Sequence, residues 1–455
     1  MKTLFRHGRV ALDDRLQEVD VLVADGRVAA VGNLAGTAAD EVVDAGGCYV
    51  LPGFIDFHTH VDDWIGPYYL SDTYASSSRT AVENGVTTLC TFVTQGPDES
   101  LRTAMDRARA KATGTSHCDV LWHLTPTTFE PRDLADLGVL LAGGYRTLKL
   151  YTTYKAAGIF ADYDRIEGLF RAYGPQGTRF MVHCEDDGII AAVDATGLDL
   201  AKASAHGRLR PQAAEVEAIR RVVDLAVAHR AALHVVHVST LEGLRILQSR
   251  RAEGDLTCET CPQYLWLDDR WLAREDGHRW LCSPPLRPDR GPFVDLVRGG
   301  AADMLATDHC PFCRRDKDAW DGRDYRQVPN GLPGLGALPH LAWKLWEDDP
   351  DRAALNLAQR LSRNPAQRAG VGDRKGSLAP GMDADLVVLD PRGPGRPVQS
   401  TAADAHEAFA GFTSTLAFRQ VFLRGTRVAR DGTLEPGLTP TGVPLQPAAA
   451  TLFPA

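Results

Sequence analysis

Eight short apolar runs, most of them followed by a stretch with helical spacing, fill the chain between residues 51 and 379 and leave few architectures open to it. The runs lie near 53–58, 87–93, 119–125, 146–153, 179–185, 232–239, 256–265 and 302–308. Strands that alternate with helices pair in parallel, because a crossover helix returns the chain to the same end of the sheet, and eight such units close into a barrel. The predicted class is therefore α/β, with a (β/α)8 TIM-type barrel over 51–379. A chain of 455 residues exceeds what one such core absorbs. The surplus lies at both ends, where β-branched runs such as Val19-Asp20-Val21-Leu22-Val23 and Ala384-Asp385-Leu386-Val387-Val388-Leu389 alternate with Gly and Asp turn signals. They predict one small β-sandwich domain built from 1–50 and 380–435. A Pro- and Ala-rich C-terminal tail, 436–455, is expected to pack loosely.

The remaining composition mainly excludes. Net charge is −9 and no long run of Lys and Arg occurs, so a nucleic-acid partner is not expected. No stretch reaches the roughly 18 apolar residues of a membrane span, and Met1-Lys2-Thr3-Leu4-Phe5-Arg6-His7 lacks the apolar core of a secretion signal. Nine cysteines spread through a long chain fit reduced thiols, and the expected location is the cytoplasm. Cys258/Cys261 and Cys310/Cys313 have zinc-knuckle spacing. The first pair falls on a predicted strand and its exit, and nothing joins the two pairs in one loop, which disfavours a structural zinc.

Barrel chemistry sits at the C-terminal ends of strands. The first strand ends in His58-Thr59-His60, and because alternate side chains on a strand share a face, both imidazoles can address one ion. Lys149 stands in Thr147-Leu148-Lys149-Leu150-Tyr151, where an unpaired ammonium would be costly. Either a salt bridge compensates it, or CO2 converts it to a carbamate able to bridge two metal ions. His183 and His237 lie near the ends of two further strands, and Asp308 follows the eighth. A lone histidine of this kind is commonly a satisfied core residue. Five positions around one barrel mouth, at strands one, four, five, six and eight, make coincidence a poor account. Imidazole and carboxylate ligands suit zinc first, with manganese, iron or cobalt as alternatives.

These segments together resemble the amidohydrolase superfamily and, within it, the dihydropyrimidinase/D-hydantoinase family of cyclic amidohydrolases. The resemblance runs from Leu51 to Asp390. It is carried by Gly53 to His60, Lys149 to Lys155, Val182-His183-Cys184-Glu185, Val236-His237-Val238-Ser239, Cys282-Ser283-Pro284-Pro285-Leu286-Arg287, Asp308-His309-Cys310-Pro311-Phe312 and Pro329-Asn330-Gly331-Leu332-Pro333-Gly334. It implies two divalent metal ions, zinc by expectation. His58, His60, Asp308 and a carbamate on Lys149 would hold one ion; Lys149, His183 and His237 would hold the other, with a bridging hydroxide as nucleophile. It further implies Asp308 as general base and acid, and Tyr154 as hydrogen-bond donor to the oxyanion. Main-chain groups at Ser283 and Asn330 would bind the ring's amide edge. The implied reaction opens a hydantoin or dihydropyrimidine-like ring to an N-carbamoyl amino acid. The implied assembly is a homotetramer or dimer.

Three features bear on the substrate. Allantoinases and dihydroorotases, the alternative chemistries, typically carry Arg two residues after the second histidine; here Asp62 stands there, and its charge is expected to repel a carboxylate. Gly334-Leu335-Gly336-Ala337 lacks the acidic residue expected after the Pro-Gly turn. The loop Asp63-Trp64-Ile65-Gly66-Pro67-Tyr68-Tyr69 offers Trp64 to a ring substituent, unless its aromatics serve an interface or pack a lid. A non-catalytic scaffold, the reading from another class, is disfavoured because such relatives lose metal ligands.

Overall fold

The structure, a computed structural model, describes residues 1–447 apart from 289 and 402; residues 448–455 of the expected tail lie outside the described residues. Its centre is an eight-stranded sheet. In chain order the strands are β1 (Phe54–Thr59), β2 (Val86–Thr94), β3 (Asp119–Thr125), β4 (Thr147–Tyr151), β5 (Arg179–His183), β6 (Ala232–Val235), β7 (Leu256–Thr260) and β8 (Met304–Leu305). Each pairs in parallel with the next. A parallel bridge between Thr59 and His309, with His60 N donating to His309 O at 2.7 Å, brings the two edges together. Every residue of β3 is buried, as expected for strands covered by helices outside and side chains inside.

Five of the strands, β4 to β8, end before their apolar runs do, and for β6 to β8 the reasons are identifiable. β7 stops at Thr260 because Pro262, which has no N–H to offer a ladder, opens the helix Pro262–Trp266. Beyond β6 and β8 the chain turns through left-handed backbone at His237 (φ 38°) and Asp308 (φ 51°). Both candidate ligands thus lie just past the ladder, where non-glycine residues are held in a costly conformation.

The two chain ends build two further sheets. A four-stranded sheet runs in the order 27–32, 20–24, 2–6, 41–44, and a seven-stranded sheet in the order 433–434, 426–430, 417–423, 386–390, 49–52, 9–12, 15–18. Strand Tyr49–Pro52 lies antiparallel to Leu386–Asp390 and parallel to Arg9–Leu12, so N- and C-terminal segments interleave. Phe5, Val10, Val21, Val23, Val50, Leu386, Val388 and Phe422 form the core between the sheets.

A buried ionic cluster joins this β-domain to the barrel. Lys375, 1% exposed, sits 2.8 Å from Asp119 at the start of β3, 3.6 Å from Asp383, and in contact with Asp385; Arg424 also grips Asp119. The tail departs from its expected looseness as far as it is described. Gly442 N bonds Ser116 O, Leu445 N bonds Val120 O at 2.7 Å, and the Leu445 side chain packs with Ala366, Ala369 and Val371 in the cluster that fills the barrel interior. A leucine with an apolar seat has no reason to stay in water. Among the described residues no helix is long and apolar enough to cross a membrane.

Candidate active site

The end of β1, the loops after β6 and β8, and the ends of β4 and β5 meet at one mouth. His58 Nε2 lies 3.0 Å and His60 Nε2 3.4 Å from Asp308 Oδ1. Among the described residues these three form a group whose donor atoms lie within 4.8 Å of one another. Neither cysteine pair contributes to such a group, and all nine thiols are free. On the other side His183 Nδ1 faces His237 Nε2 at 2.9 Å, and the rings of His58 and His237 are 5.3 Å apart.

Lys149 stands between the two halves. It is buried, with its Nζ 4.8 Å from the Phe92 ring centre and 5.1 Å from that of Tyr151. Its charge bears on His58, His60, His183 and His237 alike. Burial lowers its pKa to about 8, against the pull of Asp308 and Glu259, so a free amine is accessible near neutral pH. Asp308 is shifted the opposite way: burial raises a carboxyl, but His58 and His60 hold this one well below the usual carboxylate range. The donor set fits a divalent cation between His58, His60 and Asp308, and a second pair of imidazole nitrogens, those of His183 and His237, converges across the site.

Carboxylates behind the imidazoles fix which nitrogen each presents, and the sequence reading gave these residues no role. His58 Nδ1 donates to Glu259 Oε1 at 2.5 Å, and the other Glu259 oxygen lies 3.2 Å from His234 Nε2. His183 Nε2 donates to Glu185 Oε2 at 2.8 Å, which also takes Arg210 Nη1 at 2.6 Å. His309, next to Asp308, donates Nε2–H to Asp72 at 3.0 Å and accepts Gly334 N on Nδ1 at 3.1 Å. Glu185 was findable, two residues after His183. Glu259 and Asp72 come from remote segments with no local signal.

Tyr154 has left-handed backbone (φ 68°) and its ring centre is 5.2 Å from that of His183. The Arg210 guanidinium covers the same ring at 4.7 Å. Burial pushes the Tyr154 hydroxyl up to about 12 against the opposing effects of Arg210 and a hydrogen bond with Ser283, so it remains a donor. Asn330 Nδ2 donates to Ser283 Oγ at 3.3 Å, which places the two loops side by side. Trp64 stands apart. It is 59% exposed on a hairpin of Trp64–Ile65 with Tyr68–Tyr69, its ring edge-on to Tyr69 at 5.2 Å.

The Asp62 carboxylate accepts from Tyr69 OH and from Tyr74 N, and lies 3.5 Å from Lys111 Nζ. With its charge compensated, it repels an anion less than expected, and the case against a carboxylate substrate rests on the absent guanidinium. Beyond the Pro-Gly turn no side chain fits at Gly336, where a Cβ would collide with Gln399 O and the N–H bonds Ser400 O at 2.8 Å.

Known proteins resemble this chain over nearly its whole length. A D-hydantoinase of Streptomyces coelicolor is 32% identical over 449 residues, 94% of this chain and 95% of its own length. A D-phenylhydantoinase of Escherichia coli is 32% identical over 446 residues, 95% of each chain. Among solved structures, a dihydropyrimidinase from Brevibacillus agri superposes with a TM-score of 0.92 at 28% identity, covering 99% of this chain and 100% of that one. An L-hydantoinase (dihydropyrimidinase) from Arthrobacter aurescens gives 0.86 at 26% identity over 97% and 98%. The Amidohydrolase family model matches residues 49–428, and the chain belongs to that family.

Proposed function

We propose that this cyclic amidohydrolase opens the ring of a hydantoin or dihydropyrimidine at a binuclear metal site, giving an N-carbamoyl amino acid. The observation that carries the reading is the convergence of His58, His60, His183, His237 and Asp308 around the buried Lys149. His58, His60 and Asp308 would hold one ion and His183 and His237 the other, with Lys149 as carbamate shared between them. Two bound divalent ions, zinc in the first instance, lower the pKa of water and polarise an amide carbonyl.

The chain's own groups do the rest. Asp308 takes the proton of the attacking water as the C–O bond forms, and returns it to the ring nitrogen as the C–N bond breaks. Tyr154 donates its O–H to the carbonyl oxygen as negative charge collects there, an interaction stronger in the transition state than in the bound substrate. Main-chain groups of Ser283 and Asn330 hold the amide edge so that the carbonyl is presented in one orientation. Glu259 and Glu185 keep the imidazoles of His58 and His183 turned toward the site.

The test is a panel of cyclic ureides and imides assayed at defined metal content. Hydantoins and dihydrouracil should turn over, activity should vanish with a chelator and return with zinc, and two ions per chain should be counted. A metal-free chain that opens these rings equally well, or a metal-loaded chain inert toward all of them, would overturn the reading. Cytoplasmic work as a homotetramer or dimer is part of the same proposal, and sedimentation of the native protein measures the assembly.

A further inference from the structure

Lys317 is a buried cation that the reaction outlined above does not use. It is carried on the short helix Arg314–Asp318, is 1% exposed, and sends its Nζ to two main-chain carbonyls, Pro329 O at 3.0 Å and Leu281 O at 3.2 Å. The titratable groups that bear on it are the thiols of Cys282 and Cys310 and the imidazole of His406. Among the described residues it enters no salt bridge, in contrast to Lys375 with its three aspartates. An ammonium buried on carbonyl dipoles alone is expensive, and a methionine of similar length would fill the same space without that penalty.

What the ammonium holds together is specific. Leu281 O accepts a second hydrogen bond, from Gly331 N at 2.9 Å. The segment Pro329–Gly331 is thus fastened to the segment Leu281–Ser283 at two points, one on each side of Asn330. Between those points Asn330 Nδ2 reaches Ser283 Oγ. Cys310 joins the same junction, because its N bonds Leu332 O at 2.9 Å and a Cβ on Gly331 would collide with it. Lys317 therefore sits where the loop after β8 and the two loops proposed to grip the substrate's amide edge come together.

We propose that Lys317 is a positioning residue that sets the separation of the Ser283 and Asn330 loops, and through it the affinity for the ring and the discrimination between five- and six-membered rings. The inference rests on the proposed function, in which those two loops bind the amide edge. Because the loops hold the ring before and during reaction, loss of the pin weakens ground state and transition state together, which raises KM and leaves kcat.

The experiment compares the wild-type enzyme with Lys317→Met and Lys317→Gln, each loaded with zinc and counted for metal. Hydantoin and dihydrouracil are the substrates. Both variants should retain their metal, show kcat within about threefold of wild type, raise KM by about tenfold, and change the hydantoin-to-dihydrouracil ratio of kcat/KM at least severalfold. Gln, which keeps one donor, should be the milder. A folded variant with KM and ring ratio at wild-type values overturns the proposal. So does loss of kcat and metal together, which would place Lys317 in the scaffold of the metal site, or failure of both variants to fold, which would make its role structural. Failure of the wild-type enzyme to open either ring is a different result, and it counts against the proposed function itself.

Discussion

His58 Nδ1 and Glu259 Oε1 lie 2.5 Å apart, both buried, and this single bond decides which face of the first histidine looks into the site. Glu259→Gln keeps the size of the side chain and removes its charge, so His58 loses both its orientation and its basicity. Zinc affinity should fall about 10- to 100-fold. Competition with a chromophoric chelator measures this, and unchanged affinity would show that Glu259 is only packing.

Tyr154→Phe removes the donor and little else, since the ring stays between His183 and Arg210. Turnover should fall about 10²- to 10³-fold with KM nearly constant and metal content unchanged. Steady-state kinetics with metal analysis on the same sample checks it; equal losses in metal and turnover would reassign Tyr154 to the scaffold.

Lys375→Met leaves Asp119, Asp383 and Asp385 buried without their shared cation. Removing one partner of a buried ionic cluster costs about 3–5 kcal/mol, readable as a lower denaturant midpoint. The pH dependence has a definite sign. The aspartates raise Lys375 to about 12 from an ordinary 10.5, although burial alone would lower it. Its contribution is therefore complete below pH 10.5 and is lost as pH rises through 12. Wild type should lose stability over that window more steeply than the variant.

Leu445→Ala tests whether the tail matters to the barrel. The side chain is 2% exposed among Ala366, Ala369 and Val371, so truncation should cost about 2–4 kcal/mol. Activity of the folded enzyme at 25 °C should be unaffected, because the cost is paid at a place remote from the mouth. Thermal unfolding beside an activity assay separates the two.

Trp64→Ala should leave stability within about 0.5 kcal/mol, as expected for an exposed residue. If the hairpin receives a ring substituent, the rate ratio between 5-substituted and unsubstituted hydantoins shifts; an unchanged ratio removes Trp64 from substrate recognition.

The barrel was legible because its strands are buried on both faces, so β3 reads as the continuous run Asp119–Thr125 and needs no context. The candidate ligands were legible because strand ends place them, as with His58-Thr59-His60. What did not show was everything that depends on contacts between distant segments. Glu259 meets His58 across 201 positions and Asp72 meets His309 across 237, and no periodicity or spacing encodes such a meeting. The left-handed turns at His237 and Asp308 were equally silent, since neither residue is a glycine that would have signalled them. Trp64 shows how little nearness in sequence decides: it lies against Tyr69 on an exposed hairpin, and its part in substrate recognition rests on the rate ratio of the Trp64→Ala variant.

The interleaved seven-stranded sheet has a consequence for how the polypeptide matures. Strand Tyr49–Pro52 leaves the ribosome more than three hundred residues before the neighbour on one of its sides, Leu386–Asp390, is made. Until then that side is an open row of amide and carbonyl groups, available to any other extended chain. Nonsense truncations anywhere inside the barrel should for this reason yield aggregates more readily than soluble fragments, however well the barrel units they retain fold.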